Sequence, residues 1–254
     1  MIITKLLKAV SGLVLAVQGG AAYGEIVIDR TRVIYPAAAR GVTVNLHNKA
    51  DGPRLIQAWI DEGDPQALPE LSDVPFTVTP PVLRLETGKT QALRVVHHPV
   101  PGHAATPPEE SVYWLNVLGI RPTVEAGNQV QFSLRTRIKL FLRPDGLNGR
   151  VEGAVQALQW WREGDRPGLH VRNPSAFHVS LSSVVLTLDG IEYRNEEPPM
   201  LPPRSTTNIA ITGTVAPWQG PATLRFSTLD DQGATHVHTL PFSGLGRMKE
   251  AVAR

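Results

Sequence analysis

The sequence predicts an all-β protein built from two β-sandwich domains, and three observations carry that prediction. Apolar residues recur with a period of two in short runs, as strands require. Twenty-two Pro and 22 Gly break the chain at short intervals, and no long stretch has the spacing of an amphipathic helix. The 254 residues suffice for two domains of ordinary size, and 42% hydrophobic with 19% charged residues is globular composition rather than that of a disordered chain.

The first element is a targeting segment. Lys5 and Lys8 flank a short apolar stretch, roughly Ala9 to Val17, followed by small residues up to Gly24. This is the order of a secretory signal peptide, predicted over residues 1–24, with cleavage before Glu25 or Tyr23. The stretch is shorter than the about 20 residues of a spanning helix, and no later transmembrane candidate follows, so a soluble, exported chain without membrane insertion is expected.

The first half, 25–143, has strand-like runs at Ile26–Tyr35, Gly41–Asn48, Leu55–Asp61, Phe76–Thr79, Gln91–His97, Ser111–Leu118 and Gln129–Leu142, separated by Pro, Gly, Asn and Asp. Seven such runs suit one immunoglobulin-like sandwich. Thr79-Pro80-Pro81 reads as a structural turn, open to a cis peptide bond. Residues 144–147, within the breaker-rich Arg143-Pro-Asp-Gly-Leu147, form a hinge. The second half, 148–246, has runs at Leu158–Arg162, Gly168–Arg172, Phe177–Asp189, Ile191–Arg194, Thr206–Thr214, Ala222–Thr228 and Thr235–Phe242, with a tail at 247–254.

Composition excludes several functions. The formal charge of +2 includes the two lysines of residues 1–24, so the mature chain is neutral and the pI of about 9.0 is no warrant for nucleic-acid binding. With no cysteine there is no disulfide, thiol chemistry or zinc–thiolate site. His97, His98 and His103 cluster in one Pro-rich region, and His236 and His238 share a strand face, but neither group has carboxylate or thiolate partners for a metal. Glu109 and Glu110, as neighbours on a strand, would point to opposite faces. There is no nucleophile elbow, zinc-protease helix or phosphate loop.

One run stands out. Val130, Phe132, Leu134, Thr136, Ile138 and Leu140 alternate with Gln129, Gln131, Ser133, Arg135, Arg137 and Lys139, and Pro144 closes the stretch. This exceeds a usual strand of about 5–6 residues. Its apolar face either fills the core of its own domain or pairs with something outside it, and the residues alone leave both open.

Several motifs together resemble the PapD-like periplasmic pilus chaperones. They are Asp29-Arg-Thr-Arg-Val-Ile-Tyr35, Gln57-Ala-Trp-Ile-Asp61, Pro75-Phe-Thr-Val-Thr-Pro-Pro81, Arg84-Leu-Glu86, Glu110-Ser-Val-Tyr-Trp-Leu-Asn116, Arg135-Thr-Arg-Ile-Lys-Leu-Phe-Leu-Arg-Pro144 and, in the second half, Leu169-His-Val-Arg-Asn-Pro-Ser175. The resemblance implies a boomerang of two immunoglobulin-like domains that binds pilus subunits in its cleft, lends them a strand, and delivers them to an outer-membrane usher, without enzyme chemistry or cofactor. It makes Val130, Phe132 and Leu134 the donated residues, and Arg32 and Lys139 the anchor for the subunit's C-terminal carboxylate. Glu110, Arg143 and Asp231 become an interdomain charge network, with Asp230 an adjacent competitor for the last place. Arg30, Arg135 and Arg137 are expected to be ordinary surface charges. Pro108-Glu-Glu-Ser111 departs from the family's Asp-Arg-Glu-Ser, so any ion pairs of that Asp and Arg are in doubt. The short span from Leu118 to Gln129 resembles members serving rod-like pili. The alternatives are a secreted two-domain adhesion module and a β-sandwich hydrolase, the latter without a catalytic set.

Overall fold

The computed structural model describes residues 25–66, 68–69, 73–98, 108–122, 132–147, 149–162, 168–213 and 221–243. The expected signal peptide, His103, Val130 and the tail lie outside the described residues. The first domain contains β1 (Ile26–Ile28), β2 (Arg32–Pro36), β3 (Val42–Asn48), β4 (Arg54–Asp61), β5 (Phe76–Thr79), β6 (Val82–Leu85), β7 (Thr90–His97), β8 (Ser111–Ile120) and β9 (Leu134–Arg143). They form a four-stranded sheet, β1-β3-β7-β5, and a five-stranded sheet, β2-β9-β8-β4-β6.

The core between these sheets follows strand parity. Val33 and Tyr35, Ile56, Ala58 and Ile60, Leu115 and Val117, and Ile138, Leu140 and Leu142 meet Val44, Leu46, Phe76, Val78, Leu93 and Val95. Tyr35 crosses between the sheets: its hydroxyl donates to the Ala39 carbonyl (2.8 Å) and accepts from the His97 amide (3.0 Å). The buried Asn48 amide donates to the Leu85 carbonyl at 2.9 Å, satisfying polar backbone that burial would otherwise strand.

The second domain contains helix α1 (Val151–Gln156) and strands β10 (Gln159–Trp161), β11 (Leu169–Asn173), β12 (Ser180–Leu188), β13 (Ile191–Asn195), β14 (Ser205–Ile209), β15 (Ala222–Leu229) and β16 (Thr235–Pro241). A three-stranded sheet, β10-β11-β14, faces a four-stranded sheet, β13-β12-β15-β16. Their core is separate from the first and centres on Trp160, Leu169, Val171, Leu186, Leu224 and Phe226.

The expected strands recur, with Phe177–Asp189 shortened to Ser180–Leu188 and Thr206–Thr214 replaced by Ser205–Ile209, and with four further differences. Ile26–Tyr35 is two strands in different sheets, because β1 pairs antiparallel with β3 whereas β2 pairs parallel with β9. Its apolar parity changes from even (Ile26, Ile28) to odd (Val33, Tyr35), so no single straight strand could turn all four inward. The Gln129–Leu142 run is described as a strand only from Leu134. Short β6 went unforeseen, as did α1, whose six residues include Gly153 and give too few turns to show a helical period. The Thr79–Pro80 bond is cis.

Candidate functional site

The long apolar run is not absorbed into the core. Phe132 is 80% exposed and Leu134 is 54% exposed, whereas Ile138, Leu140 and Leu142 further along the same face are buried. The strand changes character where its partners change. On one side β8 pairs with β9 from Leu134 to Leu142. On the other, β2 pairs only from Lys139 to Arg143. Among the described residues, 134–138 therefore present an open strand edge, with unpaired backbone groups beside an exposed apolar face.

The two cations stand where that edge ends. Arg32 opens β2 and lies directly beside Lys139 in the parallel register. Register partners share a face, so both side chains project from the sheet together. Arg32 is buried; its guanidinium donates to the Leu229 carbonyl of the second domain at 3.2 Å, and its buried Nε has no hydrogen-bond partner among the described residues. Burial lowers the Arg32 pKa against the opposing pull of Asp231, Asp230 and Glu110. Burial, and then the Arg32 charge, lower that of Lys139. Two adjacent, partly desolvated cations with unused donor capacity are a ready seat for a carboxylate.

Arg143, at the far end of β9, joins the domains. Its Nε donates to Glu110 at 2.8 Å and its two terminal nitrogens to Asp231 at 2.6 and 2.9 Å. Burial opposes the charge on Arg143, but hydrogen bonds to Asp231 and Glu110 more than compensate and raise its pKa. The competition between neighbouring aspartates is resolved by geometry: Asp231 meets Arg143, while Asp230 accepts from the Gln232 and Ala234 amides and fixes its own turn. A cavity of about 440 Å³ opens beside the joint, lined in part by Pro36, Arg143, Leu147, Arg150, Phe177 and Asp231.

The structure adds residues that the sequence reading missed. His178 donates its backbone N–H to the other Glu110 carboxylate oxygen at 2.9 Å, and its Nδ1 lies 3.2 Å from that same oxygen. The His178 ring packs 5.6 Å from Phe141, across the joint. The need of Glu110 for hydrogen-bond donors was the available signal, but nothing local places residue 178 beside residue 110.

Arg137 corrects an expectation. It is no ordinary surface charge: it pairs with the buried Asp61, which also accepts from the Asn116 amide at 2.6 Å, and its guanidinium sits 4.7 Å over the Trp114 ring. Burial pushes the Asp61 pKa up, and hydrogen bonds from Arg137 and Asn116 outweigh it to leave the pKa lowered. Arg30 pairs with neighbouring Asp29, and the exposed Arg135 donates to the Pro65 carbonyl, as surface charges do. The histidines have local partners: His97 packs on Phe76, His98 meets Thr77 and His238 meets Thr228, while His236, contrary to expectation, does have a carboxylate partner in Asp230, which the β15–β16 turn brings beside it at 2.7 Å. Glu110 is buried, while Glu109 sits outside, 3.6 Å from Arg204.

Fold and surface together define a two-domain, immunoglobulin-like binding protein of the chaperone class. Residues 25–148 match the family model described as "Pili and flagellar-assembly chaperone, PapD N-terminal domain", and residues 153–240 match "Pili assembly chaperone PapD, C-terminal domain". The chain belongs to this PapD family of pilus-assembly chaperones, whose role is non-enzymatic. It is 37% identical over 229 residues to the chaperone protein FimB/FhaD of Bordetella pertussis, covering 89% of this chain and 91% of that one. The crystal structure of the YadV chaperone of Escherichia coli superposes with a TM-score of 0.74 at 35% identity, over 86% of this chain and 100% of that one. The Salmonella enterica SafA pilin–SafB chaperone complex gives 0.70 at 26% identity, over 86% of this chain and 97% of the matched chain.

Proposed function

We propose that this protein is exported to the periplasm, captures fimbrial subunits by lending them a strand, and passes them to an outer-membrane usher. The observation that carries the reading is the open edge of β9, which shows exposed Phe132 and Leu134 at one end and ends at Arg32 and Lys139. A subunit strand lying along 134–138 gains main-chain hydrogen bonds from that edge, while Val130, Phe132 and Leu134 enter successive pockets of the subunit's groove about 6–7 Å apart. If the subunit's C-terminal carboxylate docks at Arg32 and Lys139, its last strand runs parallel to β9, in the direction β2 already takes. Glu110, Arg143 and Asp231 then hold the angle between a domain of residues 25–143 and one of 148–246, across a hinge at 144–147, after removal of residues 1–24. The solved SafA–SafB pair supports the partner class, since its chaperone partner shares this fold.

The test is purification of tagged protein from periplasm, with bound partners identified by mass. A stoichiometric pilin-like subunit is expected. A protein that is retained in the cytoplasm with Met1 intact, or that emerges without such a subunit when subunits are co-expressed, overturns the reading.

A further inference from the structure

The anion site is not the property of one domain. Leu229 to Gly233, the turn between β15 and β16, belongs to the second domain and rests on the start of β2 in the first. Its Leu229 carbonyl accepts from Arg32 at 3.2 Å. Two residues on, Asp231 takes Arg143. Gly233, with φ +86°, lies so close to β2 that a Cβ there would sit 2.2 Å from the Thr31 hydroxyl oxygen. Asp230 holds this shape through its bonds to the Gln232 and Ala234 amides, at 2.9 and 2.8 Å. A long guanidinium has many rotamers, and Arg32 is buried with one described hydrogen bond and an unsatisfied Nε. That one bond comes from the other domain.

We propose that the Leu229–Gly233 turn is a positioning element for Arg32: it aims the guanidinium beside Lys139, so that the carboxylate seat is complete only while the second domain is docked on the first. The inference rests on Arg32 and Lys139 being that seat, and it adds that the seat and the interdomain joint are coupled. Ligand binding and domain closure then reinforce one another, because by linkage whatever the docked turn does for the carboxylate, the carboxylate returns to the docked turn.

The test uses the full mature protein and two synthetic peptides of alternating apolar and polar residues, identical except that one ends in a free carboxylate and the other in an amide. The wild type should bind the carboxylate form more tightly. Gly233→Ala should reduce that preference at least tenfold while leaving affinity for the amidated peptide nearly unchanged. Thr31→Ala in the same chain removes the hydroxyl that the new Cβ would clash with and should restore the preference. Gly190→Ala imposes comparable backbone strain, at φ +83° with nothing within 4 Å, and should have no effect. If Gly233→Ala does not fold, Asp230→Ala loosens the same turn; losing a negative charge near Arg32 would by itself strengthen anion binding, so a reduced preference reports geometry.

A preference unchanged in the folded turn variant, or an equal loss for both peptides, overturns the positioning role and leaves the seat intact. A wild type that does not distinguish the two peptides instead removes the seat, and this inference with it.

Discussion

Substituting Phe132 by Arg separates a strand made for a partner from a strand made for its own core. A fully buried Phe contributes about 1.5–3 kcal/mol. Phe132 is 80% exposed, so about a fifth of that, roughly 0.3–0.6 kcal/mol, is at stake in the free protein. For a chain of this size 1 kcal/mol moves the melting midpoint by about 2–4 °C, so Phe132→Arg should shift it by roughly 1–2 °C. In a subunit groove the whole burial energy is lost and a guanidinium enters an apolar pocket, so affinity should fall by at least about 10–100-fold. Leu140→Ala is the contrast: that side chain is fully buried, and its truncation should cost about 2–5 kcal/mol and melt the first domain early. Calorimetry of the free protein beside a pilin pull-down reads both quantities. A Phe132→Arg midpoint depressed as far as that of Leu140→Ala would return the residue to the core, and undiminished capture would refute the donor role.

Four further outcomes follow from the structure. Arg32→Ala and Lys139→Ala should each abolish capture, by about 2–5 kcal/mol, with the circular dichroism spectrum unchanged, while Arg135→Ala binds normally; equal binding by all three in a titration contradicts the anchor. Because burial lowers the Lys139 pKa, carboxylate binding should weaken as pH rises toward, but before reaching, the ordinary lysine range, and binding flat across that interval would count against Lys139 as the cation. Arg143→Ala leaves buried Glu110 without its cation and frees Asp231, so small-angle scattering should show a broader spread of interdomain arrangements and proteolysis near 144–147 should quicken, with a cost near the lower end of about 3–5 kcal/mol. Glu25 is held at a pKa of about 2 by its hydrogen bond from Arg54, with burial opposing and Arg121 assisting. Its folded pKa lies below the unfolded value, so its stabilisation is complete above the ordinary carboxylate range and lost as pH falls toward about 2; Glu25→Gln should melt earlier at pH 7 and converge with the parent in acid.

The sequence by itself determined the repetitive, local features of this protein. Alternation in Val42–Asn48, Arg54–Asp61 and Ser111–Ile120 requires only that side chains point to opposite faces of a strand, so it survives without knowledge of any partner. The same local rule put Lys139 on the face opposite Phe132 and Leu134. The resemblance of whole motifs then named Arg32, Glu110, Arg143 and Asp231, though not what surrounds them. Tertiary structure decided whatever depends on which strand lies beside which. It split Ile26–Tyr35 between two sheets, although the parity change at residues 29–32 was visible in the sequence. It began β2 only at Arg32, leaving the β9 edge open over 134–138 where a fully paired strand would have looked identical in sequence. It buried Asp61 under Arg137, set His178 against Glu110, and laid the Leu229 carbonyl on Arg32. These last contacts join residues 76, 68 and 197 positions apart in the chain. Periodicity records which face a side chain occupies, whereas charge pairing across a joint depends on how two separately cored domains meet, and no local pattern encodes that meeting.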